Sequence, residues 1–232
     1  MQGYPRKIRP RLSHNSKYRQ LPIFTPINPF SPIPMKPSIL LLPFCLFVAP
    51  AMAQTVVPAP DQQIKYAVMA APADKKEAAT VIGFDDSGKY VTLRKGTNDL
   101  VCLTDDPTQK GFSAACYHES LEPFMAWGRT LKMQGKKGPE VMEQRDKDAK
   151  ARKFKMPKQP ATLFVFSAPA ERFDAATGTI TNGNLRYVVY IANATSESTG
   201  LPLKSEIPGM PWIMDPGTYR AHIMINPPPP AK

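Results

Sequence analysis

Histidine and cysteine are scarce in this sequence, three of each in 232 residues, which leaves little material for a metal centre or a thiol-based active site. It has no glycine-rich phosphate loop, dinucleotide fingerprint, haem attachment pattern or internal repeat, so no cofactor is expected. The apolar run over 39–48 is ten residues interrupted by Pro43, about half of the roughly 20 that cross a bilayer. Acidic residues are absent from the first 53 positions, which hold seven Lys and Arg.

Lys36 precedes the apolar run, Pro50 breaks the chain after it, and Ala51-Met52-Ala53 follows. These are the three parts of a secretory signal, with small residues flanking a cut between Ala53 and Gln54. Residues 35–53 therefore read as a signal peptide. The mature chain then begins at Gln54, keeps no stable membrane span, and works in the bacterial periplasm or outside the cell. A lipoprotein signal wants a small residue before its cysteine; Phe44 stands before Cys45, so Cys45 is expected to leave with the signal. Residues 1–34 carry six basic residues, seven prolines and no acid. They are either a disordered basic extension or lie upstream of a true start at Met35.

The mature chain has 23 basic and 19 acidic residues, a formal +4 against +11 for the whole sequence, so nucleic acid is not an expected partner. Its basic character is concentrated over 129–158, eleven Lys and Arg against four acids, without the aromatic interleaving that would stack on bases. An anionic envelope component is the partner such a segment would meet. A solvated helix is the simpler reading and is the one favoured, with Glu143–Lys147, Asp146–Lys150 and Asp148–Arg152 paired four apart.

Residues 54–226 suffice for one globular domain, followed by a proline-rich tail over 227–232. Ile64, Ala67, Val68 and Ala71 follow helical spacing and Pro72 stops it. "ATVIGFDDSGKYVTLRKGTNDLVCLTDD" reads as a three-strand meander, its apolar runs separated at Asp86-Ser87-Gly88 and at 96–99. Between Ser120 and Lys153 the period becomes helical, giving two helices joined near "GKKGP". "ATLFVFSAP", "NLRYVVYIAN", "PWIMDPG" and "YRAHIMIN" then read as strands. The expected fold is α+β: an antiparallel sheet from the N-terminal meander and the C-terminal strands, with a helical pair between them.

"LRKGTNDLVCL", a second cysteine further on, and the closing "TSESTGLPLKSEIPGMPWIMDPGTYRAHIMIN" carry a resemblance over about 79–226. In these segments the chain resembles a family of exported bacterial proteins without an assigned activity. The resemblance implies export and a single domain. It transfers no catalytic residue.

Once Cys45 is removed, Cys102 and Cys116 are the remaining thiols, and an exported pair is expected to be oxidised. The rival reading makes Cys116 a nucleophile with His118 as its base, although no third, orienting group is identifiable. "HESLE" at 118–122 falls short of the His-Glu-x-x-His zinc helix because Glu122 replaces the second histidine. Pro123 must occupy a first turn with Ser120 as its cap, leaving His118 outside the helix. "DPGTYRAH" at 215–222 combines turn chemistry with a histidine. "NAT" at 193–195 matches a glycosylation acceptor by chance, and Trp127 and Trp212 are expected to pack in the core. No catalytic residue is assigned. Non-catalytic binding or a structural role is expected, and the alternative is a metal-assisted hydrolase uniting His118, Glu119, Asp215 and His222.

Overall fold

The computed structural model describes residues 56–228; residues 1–34, the expected signal segment over 35–53 with its expected Ala53–Gln54 cut, and the end of the tail lie outside the described residues. In chain order the elements are α1 (Pro60–Ala67), β1 (Thr80–Phe84), β2 (Tyr90–Arg94), β3 (Leu100–Leu103) and β4 (Phe112–His118). They continue with α2 (Glu122–Met133), α3 (Gly138–Lys150), β5 (Ala161–Ala168), β6 (Phe173–Asp174), β7 (Thr179–Ile180) and β8 (Asn184–Tyr190). The chain closes with α4 (Ser196–Thr199), β9 (Trp212–Met214) and β10 (His222–Ile225). Eight strands form one sheet in the order β2-β1-β3-β4-β5-β8-β10-β9, and β6 and β7 form a separate hairpin. The fold is α+β, its sheet antiparallel except where β1 meets β3.

That exception corrects the expected meander. The three strands form where the sequence places them, but β3 crosses to the far side of β1 and runs parallel to it, Val81 opposite Cys102. The crossing is tight: the N–H groups of Thr97 and Asn98 both donate to the Ala78 carbonyl, at 2.8 and 3.1 Å. Gly96 makes it possible, since a Cβ there would stand 2.3 Å from the Ala78 oxygen.

The sheet is covered on both faces. Tyr66 and Ala67 of α1, with Ala70 and Ala71 after it, pack on Leu100, Cys102, Phe112, Ala114 and Cys116. On the other face Leu121 and Met125 join Val101, Tyr117, Leu163, Val188 and Met224. Tyr117 also ties α2 to the sheet: its hydroxyl donates to Glu122 at 2.5 Å and accepts from Arg129 at 2.8 Å, while Arg129 and Glu122 pair directly. Pro123 and Pro139 sit in the first turns of α2 and α3, where a missing N–H costs nothing. No helix among the described residues is long and apolar enough to cross a membrane.

Of the three expected ion pairs along α3, Glu143–Lys147 forms, at 2.7 Å. Tertiary partners claim the other two acids. Asp146 accepts the Tyr219 hydroxyl at 3.0 Å, and Asp148, buried, accepts Trp127 Nε1, Gln144 and Lys153.

Candidate functional site

The strand order sets the distance between the two histidines among the described residues. His118 ends β4 and His222 begins β10, with β5 and β8 between them. Three strand spacings separate them by about 14 Å. Side chains alternate across a sheet, so His118 continues the Ala114–Cys116 face under α1, whereas His222 shares the Met224 face under α2. The four residues proposed for a hydrolytic metal site are thus not brought together. Among the described residues no cluster of three or more His, Cys, Asp or Glu is placed to hold an ion.

Each of the four has a local setting. Asp215 takes a positive φ of 50° at the head of the Pro216-Gly217 turn and faces Arg220 at 3.3 Å. His222 places Nδ1 2.8 Å from the Arg220 carbonyl and lies against the Tyr190 ring. Glu119 donates its backbone N–H to the Asp99 carbonyl at 2.8 Å. His118, rather than the expected Ser120, caps the turn leading into α2: its Nδ1 accepts the Ser120 N–H at 3.2 Å. Ser120 Oγ lies 2.8 Å from the same nitrogen, and Asp99 is 3.6 Å from Nε2. This resembles a serine–histidine–aspartate line, but Asp99 is committed to Lys75 at 2.7 Å and the half-exposed cluster lacks the desolvation that activates such a serine.

Cys102 and Cys116 are fully buried, directly opposite on β3 and β4, with their sulfurs 2.08 Å apart at disulfide distance. A thiol nucleophile needs access, which this position denies.

The chain between those cysteines forms one wall of a cleft of about 620 Å³ that was not anticipated from the sequence. Thr104 and Asp105 line this wall, with Ser113 and Ala115 of β4; the last turn of α2 supplies Lys132 and the α2–α3 turn supplies Lys136 and Lys137. Asp105 accepts the Ser113 N–H at 2.7 Å, and burial, with Asp106 alongside, pushes its carboxyl up to about 6. Thr104, 7% exposed, has no partner for its hydroxyl among the described residues. Tyr90 also lines the cleft, packed on Phe84, and burial pushes its hydroxyl up to about 12. The only signal for this site was a polar "TDD" directly following a buried strand.

Asp105 gives a pH-dependent expectation. Its folded value exceeds the ordinary 3.8, so the native state retains a proton that the unfolded chain releases. Its favourable contribution is complete below the unfolded value and declines as pH rises towards 6. Asp105→Asn keeps the acceptor for Ser113 and removes the charge. Thermal melts should show the variant more stable than the parent at pH 7.5, with the gap closing at pH 4. Equal separation at both values would refute this assignment.

A scan against protein-family models, a search of curated proteins and a search of solved structures each find no match to this chain.

Proposed function

We propose that this chain is an exported protein of the periplasm or extracellular space that binds or supports an anionic envelope component and carries out no catalysis itself. The observation that carries the reading is the buried cysteine pair at disulfide distance in the middle of the sheet, a device suited to an oxidising compartment. The signal-like segment over 35–53 and the resemblance over 79–226 lead the same way. The non-catalytic part of this reading is supported by the local roles of His118, Asp215 and His222, which are engaged in capping, turn and packing contacts. The binding surface lies in the basic 129–158 segment, where Lys132, Lys136 and Lys137 gather beside the α2–α3 turn.

Fractionation of the source cells tests this reading. The protein should be recovered in the periplasmic or extracellular fraction, sediment with isolated envelope at low salt, and be released by about 0.5 M salt, which screens exposed charges beyond a few ångströms. Recovery in the cytosol, or an envelope association that salt leaves unchanged, would contradict it.

A further inference from the structure

We propose that the Asn182–Gly183 peptide, in the turn from β7 into β8, is a self-modification site: the Gly183 nitrogen closes on the Asn182 side chain, expels ammonia and leaves aspartate or isoaspartate, with Arg172 assisting. Water is the only co-reactant, and the product carries one more negative charge than the parent.

Three observations converge on this turn. The first is its backbone. Asn182 is exposed and holds a positive φ of 51°, which asparagine tolerates better than most side chains. Gly183 follows it because the chain passes close to Phe166, where a Cβ would run into the ring. Packing thus requires, after the asparagine, the one residue without a side chain to hinder attack by its own nitrogen. The second is that both reacting groups are free: neither the Asn182 side-chain amide nor the Gly183 N–H has a hydrogen-bond partner among the described residues. The third is Arg172, just before β6. Its Nη1 donates to the Asn182 carbonyl at 3.4 Å, and its own carbonyl accepts the Thr181 N–H at 2.9 Å, which holds the two segments side by side. The Asn182 carbonyl belongs to the same peptide unit as the Gly183 nitrogen. When that nitrogen loses its proton, negative charge spreads onto the Asn182 oxygen, where the guanidinium stabilises it.

The step balances without an oxidant or reductant. The deprotonated Gly183 nitrogen forms a bond to Asn182 Cγ, the bond from Cγ to the amide nitrogen breaks, and ammonia leaves with a proton from water. Water then opens the five-membered succinimide at one carbonyl to give aspartate, or at the other to give isoaspartate. The other asparagines among the described residues are each held back. Asn98 is fixed at both ends of its amide, donating to the Lys75 carbonyl at 2.9 Å and accepting the Leu100 N–H at 3.0 Å. Asn193 also has a positive φ, of 64°, but the next N–H, that of Ala194, donates to the Ile191 carbonyl at 3.0 Å. Asn184 lies in β8 before the bulky Leu185, and Asn226 precedes Pro227, which has no N–H to lose.

The test is peptide mapping by mass spectrometry of the purified full chain, incubated folded at pH 7 and at pH 8. Asn182 should convert to its acid forms several-fold faster than Asn98, Asn184 or Asn193. Its rate should rise about tenfold between the two pH values, because the attacking nitrogen must first lose its proton. Arg172→Ala should slow the folded chain by about threefold, the effect of one exposed charged contact. In concentrated guanidinium chloride that variant and the parent should react at the same rate, since unfolding takes the guanidinium away from the carbonyl. Asn182→Gly, which also accepts the positive φ, should abolish the modification and melt with the parent.

An Asn182 that stays intact at pH 8, or one that reacts no faster than the other asparagines, would overturn the proposal. So would a folded Arg172→Ala variant that reacts as fast as the parent, or a rate that does not respond to pH. These outcomes are independent of fractionation and envelope sedimentation, so the chemistry of the turn can fail while the exported binding role stands, and the reverse.

Discussion

Replacing both Cys102 and Cys116 with alanine should lower the melting temperature by about 6–12 °C. The two residues form a cross-strand pair between β3 and β4 and are fully buried. Linking them closes a loop with a sequence separation of 14, which restricts the unfolded chain by about 3 kcal/mol. For a domain of this size about 2–4 °C is lost per kcal/mol, and the total is a large share of typical stability. The same loop carries Thr104 and Asp105, so the link also fixes one wall of the cleft. Reductant should lower the melting temperature of the parent towards that of the variant and leave the variant unchanged. A parent insensitive to reductant, with a variant melting at the same temperature, would show that the bond contributes nothing.

Gln63→Leu should destabilise the fold by about 3 kcal/mol, with no disulfide involved. Strand β3 pairs with β1 from Thr80 to Ile82, so Phe84 lies beyond its reach on that side. Gln63, 1% exposed, takes the place of a neighbouring strand: Oε1 accepts the Phe84 N–H at 2.8 Å and Nε2 donates to the Phe84 carbonyl at 2.9 Å. Nε2 also reaches the Pro58 carbonyl at 2.8 Å, tying the approach to α1 to the sheet. Leucine would fill similar space and leave a buried N–H and carbonyl unpaired, each costing about 1–3 kcal/mol. Gly83 leaves the room for this contact, since a Cβ there would come within 2.4 Å of Gln63 Oε1. Gln63→Glu should be at least as damaging at neutral pH and partly recover in acid, where a protonated carboxyl can again donate to the Phe84 oxygen. Chemical denaturation of the three proteins reads this directly. A leucine variant within about 0.5 kcal/mol of the parent would show that the amide pairing contributes nothing beyond packing.

The elements with clear periodicity were legible in the sequence. The first-turn prolines at 123 and 139 marked the starts of α2 and α3, and the β-branched and aromatic runs marked β5, β8, β9 and β10. The strand β4, which joins the two halves of the sheet, was not separately read. "FSAACYH" has small residues at its centre and a single exposed polar position, Ser113, so it shows neither sustained polar alternation nor a strong β-branched run. The crossing of β3 was hidden for another reason: a meander and a parallel return use the same turn residues, and the choice was made by Gly96 against the Ala78 carbonyl.

The cleft was illegible for a third reason. Its two walls are the 104–113 loop and the 132–138 turn, which only tertiary packing places face to face. The histidines misled in the opposite direction. Sequence could list them as possible partners, but a sheet order with two intervening strands and opposite faces is a property of the fold.

The central claim is that the chain leaves the cytoplasm and works with its buried cysteines joined. Non-reducing mass spectrometry of the protein isolated from its source cells, alkylated before any reductant is added, tests it most directly. The account predicts a chain beginning at Gln54, with no alkylation and with Cys102 and Cys116 recovered on one linked peptide species. A chain that retains residues 35–53 and whose two cysteines alkylate quantitatively would contradict it.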